Sequence, residues 1–430
     1  MYRLRYISPY FSSVRLREAL ILLKSLVTFP FIRNRHERVK LHSIISRHFQ
    51  GSACFSFSSA RGSLAFCISA FGISKGDEVI LSAFTCLAVP TAVITAGVIP
   101  VYADIDPLTL NVTVDTIIAA ITDKTRIIVV QHTLGSPAPI QEIVRLAHSR
   151  GILVIEDCAL AIGTKINAEE VGTFGDAAIF SMELSKTLTT GWGGILIVNK
   201  PDSVKSFLEK YDEVSELPTI QAVRMAFQTI VTGICYLPNI FWVAKYIVAI
   251  GFKFGVFSPS TPENENYGKV GENFVSKLSC FQAMLAAHQW SRFGYITDSC
   301  QKHGLYIRDV LLKLGYVPLG KFTTDVFSVS PRISFLVFNP NEAIKWFYLK
   351  GIELGTWFDG PLSPLPKSDI YEYKRDLYPN AVLISDNIVN IPCHSRLENQ
   401  DLEFIQKTLM QYSIEHKCDL KIQSIIKTAM

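Results

Sequence analysis

Residues 151–200 read GILVIEDCALAIGTKINAEEVGTFGDAAIFSMELSKTLTTGWGGILIVNK. This stretch contains three short apolar runs, which are residues 152–155, 177–180 and 193–198. Continuous apolar runs of this length are typical of strands that are buried on both faces of a sheet. The stretch therefore predicts the centre of an α/β domain with a largely parallel sheet.

Polar side chains follow the first two of these apolar runs. Asp157 comes directly after the first run, and the second run leads into Ser181 and, five residues later, Lys186. In open parallel sheets, ligands bind beyond the carboxyl ends of the strands. We therefore predict that Asp157, Ser181 and Lys186 converge on one ligand.

An acid, a hydroxyl and an amine in one place match the needs of pyridoxal phosphate. This cofactor requires a lysine for a Schiff base, a carboxylate facing its pyridine nitrogen, and hydrogen-bond donors for its phosphate. A single lysine is more often a solvated surface residue, and a single aspartate after a strand is more often a helix cap. Three such residues in order, each at the end of a predicted strand, favour the cofactor interpretation.

The same segments resemble a known family, the DegT-type sugar aminotransferases among the fold-type I pyridoxal-phosphate enzymes. The similar motifs are EDCALAIG (156–163), VGTFGDAAIFSMELSKTL (171–188) and TGWGGILIV (190–198). The resemblance implies that Asp157 faces the pyridine nitrogen, Ser181 binds the phosphate and Lys186 forms the internal aldimine. It also implies an α/β fold with a mostly parallel central sheet, helices on both of its faces and a smaller C-terminal α+β domain.

A second candidate motif precedes these segments. Residues 54–63 read CFSFSSARGS, a short predicted strand that leads into a serine- and glycine-rich helix start. Backbone N–H groups at a helix N-terminus bind phosphate, so Ala60 and Arg61 are candidate cofactor ligands, and Arg61 could add a charge-assisted bond. An ordinary capped helix is the alternative for this motif alone.

Several positions depart from the pattern of the family. Cys86 stands where the family usually has an aromatic residue that stacks on the cofactor ring, and Leu160 stands where it commonly has glutamine. The Schiff-base lysine, which dehydratases of the family lack, is present as Lys186, so transamination is favoured over dehydration. Trp357 and Ser363 are candidates to face the substrate.

The amino-acid composition narrows the possible classes of protein. A net charge of +4 over 430 residues does not suggest a nucleic-acid-binding protein. The nine cysteines are spread along the chain without a CxxC pair, which favours a reducing, cytoplasmic setting and predicts no metal site. His132 follows a predicted strand and either walls the site or ties down a turn.

We divide the chain into five predicted regions. These are an N-terminal helical arm (1–50), a cofactor-binding large domain (51–200), an apolar helical insertion (201–270), a long linking helix (271–315) and a C-terminal small domain (316–430). The arm packs on its own domain in the favoured interpretation, and otherwise lies on a membrane or a partner subunit.

The insertion contains an uncharged apolar run, residues 225–244, which is interrupted by Pro238-Asn239. A membrane span would separate the two domains that must share one site, so we predict two apolar helices that meet at Leu237-Pro238. Burial in a subunit interface is favoured, and peripheral membrane contact through residues 218–257 is the alternative.

Together these features predict an aminotransferase that moves an amino group from an amino acid to a keto sugar. By resemblance the donor is glutamate, the acceptor is nucleotide-linked, the product serves polysaccharide biosynthesis, and the protein is a homodimer. Two alternatives stay open at this point: another pyridoxal-phosphate-dependent reaction, and a non-catalytic assembly protein that lies against a membrane.

Overall fold

The structure is a computed structural model that describes residues 6–10, 13–28, 34–237, 240–259, 262–355 and 357–422. Its strands are β1 (Ala53–Phe57), β2 (Glu78–Ser82), β3 (Thr85–Cys86), β4 (Ile99–Ala103), β5 (Thr125–Gln131), β6 (Leu153–Asp157), β7 (Lys165–Ile166), β8 (Glu169–Glu170), β9 (Ala177–Ser181), β10 (Gly194–Val198), β11 (Val326–Phe327), β12 (Arg332–Leu336), β13 (Leu362–Ser363) and β14 (Ile388–Pro392). Seven of these strands form the central sheet, in the spatial order β1-β10-β9-β6-β5-β2-β4. The remaining strands form small sheets around it.

The helices surround the central sheet and build the second domain. They are α1 (Leu16–Val27), α2 (Asn34–His48), α3 (Ala60–Ala70), α4 (Ala88–Thr95), α5 (Val114–Ala120), α6 (Ile140–Ser149), α7 (Val204–Glu213), α8 (Thr219–Cys235), α9 (Phe241–Lys253), α10 (Cys280–Trp290), α11 (Phe293–Lys313), α12 (Pro340–Lys350), α13 (Pro379–Ser385) and α14 (Asn399–Glu415). The prediction of an α/β fold with a mostly parallel central sheet is confirmed.

The strands of the central sheet are buried on both faces, as their apolar runs predicted. In β2, Val79 and Leu81 belong to the core on one face of the sheet, and Ile80 belongs to the core on the other. This alternation follows from the two-residue period of a strand. Two helical layers therefore cover the faces of the sheet. Polar groups that bind a ligand can then lie only at the ends of the strands.

Strand β10 runs against its neighbours. It is antiparallel to both β1 and β9, whereas the pairs β9–β6, β6–β5, β5–β2 and β2–β4 are parallel. The amino end of β10 therefore lies at the same edge of the sheet as the carboxyl ends of β6 and β9. For this reason the turn at Trp192 and Gly193, which precedes β10, reaches the same place as Asp157 and Ser181.

The prediction of one long linking helix between residues 271 and 315 is wrong. The structure has two helices there, α10 and α11, with a break at Ser291 and Arg292. Arg292 adopts a non-helical backbone conformation at the break, and its side chain forms an ion pair with the buried Glu18 of α1. The break thus lies where the chain makes a tertiary contact with α1.

The C-terminal part of the chain has its own core. Strands β12 and β14 pair in antiparallel fashion, and helices α11, α12 and α14 pack around them through residues such as Ile307, Phe347 and Leu409. Strand β13 leaves this part and pairs in parallel with β3, placing Ser363 beside Cys86. The C-terminal part therefore contacts the edge of the large sheet where the polar groups gather.

The N-terminal arm packs on the chain's own core, in agreement with the favoured interpretation. Leu22 of α1 is buried against Ala222 and Ala226 of α8 and Phe281 of α10. Residues 1–5, 11–12 and 29–33 of the predicted arm lie outside the described residues.

The apolar run in the insertion forms two helices, α8 and α9, as predicted. The predicted meeting point, Leu237-Pro238, falls between the end of α8 and the start of α9, although Pro238 itself lies outside the described residues. Within the described part of the chain, no helix is both long and apolar enough to cross a membrane.

Strand β10 approaches the start of helix α3 closely at Gly194. A Cβ atom at this position would lie 2.4 Å from the Ser59 carbonyl oxygen and 2.5 Å from the Ala60 nitrogen. We expect Gly194→Ala to lower the free energy of unfolding by about 1–3 kcal/mol, because backbone atoms cannot move aside as a flexible side chain would. Thermal unfolding followed by circular dichroism measures this effect. Gly271→Ala, where a Cβ would meet nothing within 4 Å, is the control, and an equal loss in both variants would contradict the prediction.

Candidate active site

One cavity at the edge of the central sheet collects the predicted residues. Its empty volume is about 830 Å³, counting the part that is open to solvent. The cavity is lined by all six predicted site residues, Ala60, Arg61, Cys86, Asp157, Ser181 and Lys186. Residues from distant parts of the chain thus meet because the edge of the sheet brings their strands together.

The N-terminus of helix α3 forms one wall of the cavity. Ser59 caps this helix, and its Oγ accepts a hydrogen bond from the backbone N–H of Gly62 at 3.2 Å. The Ser63 hydroxyl donates to the Ser59 carbonyl oxygen at 3.0 Å. The positive end of the helix dipole and the small side chains make this wall suitable for an anion such as a phosphate.

Arg61 at this wall already has a counter-ion. Its guanidinium forms a buried ion pair with Glu265, which lies in the 3-10 helix Glu263–Tyr267 of the insertion. Burial raises the pKa of Glu265, and the Arg61 charge opposes that rise. The sequence did not indicate this pairing, because the two residues are about two hundred positions apart and only the tertiary structure brings them together.

Asp157 ends strand β6 and presents its carboxyl group to the cavity. Its Oδ1 accepts a hydrogen bond from the backbone N–H of Ala159 at 2.9 Å. Within the described residues, Oδ2 accepts no further hydrogen bond. Burial raises the pKa of Asp157, while the Ala159 N–H group and the charge of Lys186 act in the opposite direction. A cationic N–H group of a ligand would supply this carboxyl group with a hydrogen-bond donor and a counter-charge.

Lys186 is buried in the same cavity. Burial lowers the pKa of Lys186 to about 8, although the nearby carboxylate of Glu183 favours the charged form. The ammonium nitrogen lies 4.1 Å from the centroid of the Trp357 ring. A lysine with such a pKa is partly unprotonated near neutral pH, which is the form that can act as a nucleophile or as a base.

Glu183 is a residue of the cavity that the sequence analysis missed. It lines the cavity, and its Oε2 accepts hydrogen bonds from the backbone N–H and the hydroxyl of Ser185 at 3.0 and 2.7 Å. A signal was present, since an acid three residues before the candidate lysine stands in the same motif. The motif was read for its serine and its lysine, and the acid between them was overlooked.

The residues that depart from the family pattern are also in the cavity wall. Cys86 and Leu160 both line it, so a sulfur and an alkyl group take the places where an aromatic ring and an amide were expected. Of the two candidate substrate residues, Trp357 lines the cavity, whereas Ser363 does not and instead donates a hydrogen bond to Asp359.

His132 ties down a turn and does not line the cavity. Its Nε2 bonds to the carboxylate of Glu156 at 3.0 Å, and its Nδ1 accepts from the backbone N–H of Ala138 at 3.1 Å. The Glu156 oxygens also accept from the N–H groups of Gly172, Phe174 and Gly175. His132, Glu156 and Cys158 lie close enough to hold a metal, but these hydrogen bonds already use the carboxylate.

The pKa of Lys186 gives a direct prediction. The fraction of unprotonated amine should rise with pH and reach one half near pH 8, whereas an ordinary lysine reaches this point near 10.4. Competitive labelling of the cofactor-free protein with a small amine reagent, followed by mass spectrometry of the peptide, measures it. Glu183→Gln should move the midpoint to lower pH, since Glu183 stabilises the ammonium form, and Glu209→Gln on the surface of α7 should not. A midpoint above pH 10 would contradict the prediction.

Comparison with known proteins finds similarity over the first half of the chain. Residues 31–214 match the DegT/DnrJ/EryC1/StrS aminotransferase family. The chain is 43% identical over 148 residues to L-glutamine:2-deoxy-scyllo-inosose aminotransferase of Streptomyces kanamyceticus, a match that covers 34% of this chain and 35% of the relative. It is 45% identical over 130 residues to GDP-perosamine synthase of Escherichia coli O157:H7, covering 30% of this chain and 36% of the relative. These matches thus span about a third of the length of the relatives.

The fold of the chain extends the likeness beyond that segment. The aminotransferase from Psychrobacter cryohalolentis superposes with a TM-score of 0.73 at 20% identity, covering 96% of this chain and all of that chain. At this identity the likeness shows the fold alone, which is that of a fold-type I aminotransferase. The motifs around Asp157 and Lys186, the matched segment and the fold therefore agree, and residues 31–214 are similar to the DegT/DnrJ/EryC1/StrS aminotransferase family.

Proposed function

We propose that the protein is a pyridoxal-phosphate-dependent aminotransferase that transfers an amino group from an amino acid to a keto sugar. The observation that carries this proposal is the meeting of Lys186, Asp157 and the N-terminus of α3 in one buried cavity. An amine, an acid and an anion-binding helix end are the three groups that this cofactor needs. The family of residues 31–214 supports the same conclusion.

The residues of the cavity fit the cofactor. The N-terminus of α3, with Ala60 and Arg61, and the hydroxyl of Ser181 would hold the phosphate, and Oδ2 of Asp157 would accept a hydrogen bond from the protonated pyridine nitrogen. A Cβ at Gly194 would meet Ser59 and Ala60, so the close approach of β10 to α3 shapes this wall. When bound, pyridoxal phosphate acts as an electron sink that stabilises negative charge on the substrate carbon next to the transferred nitrogen.

Lys186 would hold the cofactor covalently and then move the proton. Its lowered pKa, about 8, lets the amine give up and take up a proton near neutral pH at little cost. The nearby carboxylate of Glu183 favours the ammonium form of Lys186, so it would help Lys186 Nζ to hold a proton between transfers. Asp157 would pair with the protonated pyridine nitrogen, and that positive charge would offset the burial that raises the pKa of its carboxyl group.

The names of the relatives support a sugar or a sugar-like ring as the acceptor. One relative is named for 2-deoxy-scyllo-inosose and for glutamine as the donor, and another is named as a GDP-perosamine synthase. We propose glutamate or glutamine as the amino donor and a nucleotide-linked keto sugar as the acceptor. The amino sugar formed would serve polysaccharide biosynthesis. A homodimer in the cytoplasm is the form that the resemblance to the family supports.

Helix α9 supports a further proposal, contact with an anionic membrane surface. Its outer face carries large exposed apolar side chains: Tyr246, Ile247 and Ile250 are 64%, 54% and 55% exposed, and Phe254 just beyond the helix is 73% exposed. Residues 217–262 contain two lysines and one arginine but no acid. An apolar face flanked by basic residues is typical of helices that lie on anionic lipid, whereas two like-charged copies of the face would repel each other.

The aminotransferase proposal is tested with the purified protein and added pyridoxal phosphate. We expect an absorbance band near the blue edge of the visible that borohydride abolishes, and an amino sugar, detected by mass spectrometry, after addition of glutamate or glutamine and nucleotide-linked keto sugars. Lys186→Ala should lose the band and lower the rate by at least on the order of 10²–10⁴-fold, because the proton carrier is removed. Glu209→Gln on the surface is the control. A wild-type protein without this band would contradict the proposal.

The membrane proposal is tested by flotation with lipid vesicles. We expect the protein to float with phosphatidylglycerol-rich vesicles at low salt. It should not float at high salt, or with vesicles of phosphatidylcholine alone, since the attraction is partly electrostatic. The double variant Ile247→Glu/Ile250→Glu should remain at the bottom of the gradient. Leu349→Glu/Ile414→Glu, which changes two exposed apolar residues elsewhere, is the control.

Two results would overturn the membrane proposal. One is a wild-type protein that does not float with the anionic vesicles. The other is a loss of the dimer in the Ile247→Glu/Ile250→Glu variant, measured by light scattering, which would assign this face to the subunit interface.

A further inference from the structure

A buried carboxylate lies behind the cavity wall that is formed by the start of α3. Glu265 is 4% exposed, and its carboxylate pairs with the guanidinium of Arg61. Arg61 lines the cavity, whereas Glu265 does not. The fold therefore places an acid behind the arginine that would face a phosphate, and the proposed function so far gives this acid no role.

The backbone around Glu265 is held by the C-terminal part of the chain. The carbonyl oxygen of Glu265 accepts a hydrogen bond from the Tyr371 hydroxyl. The carbonyl oxygen of the next residue, Asn266, accepts a hydrogen bond from the backbone N–H of Lys367 at 2.8 Å. Gly268 ends this short 3-10 helix in the left-handed conformation. A ligand that enters the cavity therefore meets the acid in a fixed place.

The other titratable groups around Glu265 are neutral or face solvent. Burial raises the pKa of the Tyr371 hydroxyl, which therefore stays a neutral donor. Glu263, on the same 3-10 helix, is exposed and pairs with the exposed Lys367 at 3.4 Å. Arg61 is thus the charged group that acts on the Glu265 carboxylate.

The charges at this wall do not balance when a phosphate binds. Of the described residues that line the cavity, the basic ones are Arg61 and Lys186, and Lys186 would be engaged at the other end of the cofactor. A phosphate monoester carries a charge of about −1.5 to −2 near neutral pH, and the helix N-terminus supplies roughly +0.5. Because Glu265 already cancels the charge of Arg61, the phosphate would leave an excess of negative charge in a buried place.

A buried carboxyl group responds to such an excess by taking up a proton. Burial and a nearby negative charge both disfavour the ionised form of a carboxyl group. In the structure, burial raises the pKa of Glu265 and the Arg61 charge acts against that rise. A phosphate that shares the Arg61 charge weakens this opposing effect and adds a like charge, so both changes favour the neutral form of Glu265.

We propose that Glu265 takes up a proton when the cofactor phosphate binds at the start of α3. This inference rests on the proposed aminotransferase function, which places a phosphate there. The proton comes from the solvent and returns to it when the phosphate leaves. Once Glu265 is neutral, the positive charge of Arg61 is available for a charge-assisted hydrogen bond to the phosphate. Glu265 thus sets how the affinity for the cofactor depends on pH.

The experiment measures the binding of a cofactor analogue to the cofactor-free protein by titration calorimetry. 4-Deoxypyridoxine 5′-phosphate has the ring and the phosphate but no aldehyde, so it does not react with Lys186. Glu265→Gln, which is neutral and of the same shape, should bind it on the order of 10-fold more tightly than the wild-type protein near pH 8, and the difference should shrink toward pH 6. Titrations in two buffers of different ionisation enthalpy should show that the wild-type protein takes up more protons than Glu265→Gln.

Three controls separate this role from a general change of the wall. Glu263→Gln removes an exposed acid from the same 3-10 helix and should change neither the affinity nor the proton uptake. 4-Deoxypyridoxine, which lacks the phosphate, should bind equally to the wild-type protein and to Glu265→Gln. In a protein that carries Arg61→Gln, adding Glu265→Gln should have little further effect, because the acid acts through Arg61. If Glu265→Gln does not fold, Glu265→Asp decides, since its shorter side chain holds the acid farther from Arg61 and should also tighten binding.

The outcomes distinguish the two proposals. Tighter binding of the phosphorylated analogue alone, with a smaller proton uptake, supports the role of Glu265. Unchanged or weaker binding, an equal change for both analogues, or the same proton uptake in both proteins makes that role wrong, and the aminotransferase proposal stands if the wild-type protein forms the band that borohydride abolishes. If the wild-type protein binds neither the phosphorylated analogue nor pyridoxal phosphate, the proposed function is wrong and the role of Glu265 falls with it.

Discussion

The burial of one amine beside acids is the constraint on which the site depends. Lys186 is placed in a cavity where water cannot solvate its charge, and burial lowers its pKa to about 8. Glu183 and Asp157 act against that shift, so the amine stays close to the point where it holds and releases a proton equally well. Without the acids the amine would be a weaker proton carrier, and without the burial it would be a permanent ammonium ion.

The architecture of the sheet makes this burial possible. Asp157 and Ser181 lie at the carboxyl ends of β6 and β9, at one edge of the sheet. Gly193 precedes the antiparallel strand β10 and lies at the same edge. Helix α3 adds its N-terminus, and β13 of the C-terminal part pairs with β3 to close the wall beside Cys86. Because parallel strands end at one side, groups that are far apart in the chain need no special loop to meet.

The second half of the chain modifies this site more than its own sequence suggests. Glu265 of the insertion neutralises Arg61 at the helix end that would face a phosphate. A phosphate there would have to share the arginine with this acid, so the helix dipole, the backbone and Ser181 would carry more of its binding. From the C-terminal part come Trp357 and, behind it, Arg332, which has no counter-ion among the described residues.

The local sequence determined a large part of this protein. The apolar runs around Ile155 and Ile179 and the polar residues after them were sufficient to predict the buried strands, the mostly parallel sheet and the meeting of Asp157, Ser181 and Lys186 in one cavity. These inferences succeed because the two-residue period of a strand and the position of strand ends are local properties.

Only the tertiary structure decided the pairings between distant residues. At the break between α10 and α11, Arg292 pairs with Glu18, and at the start of α3, Arg61 pairs with Glu265. The isolation of Arg332 likewise depends on where Glu183 and Glu353 find their hydrogen bonds. A charge is satisfied by whatever group the fold places beside it, and no local pattern in the sequence records which group that is.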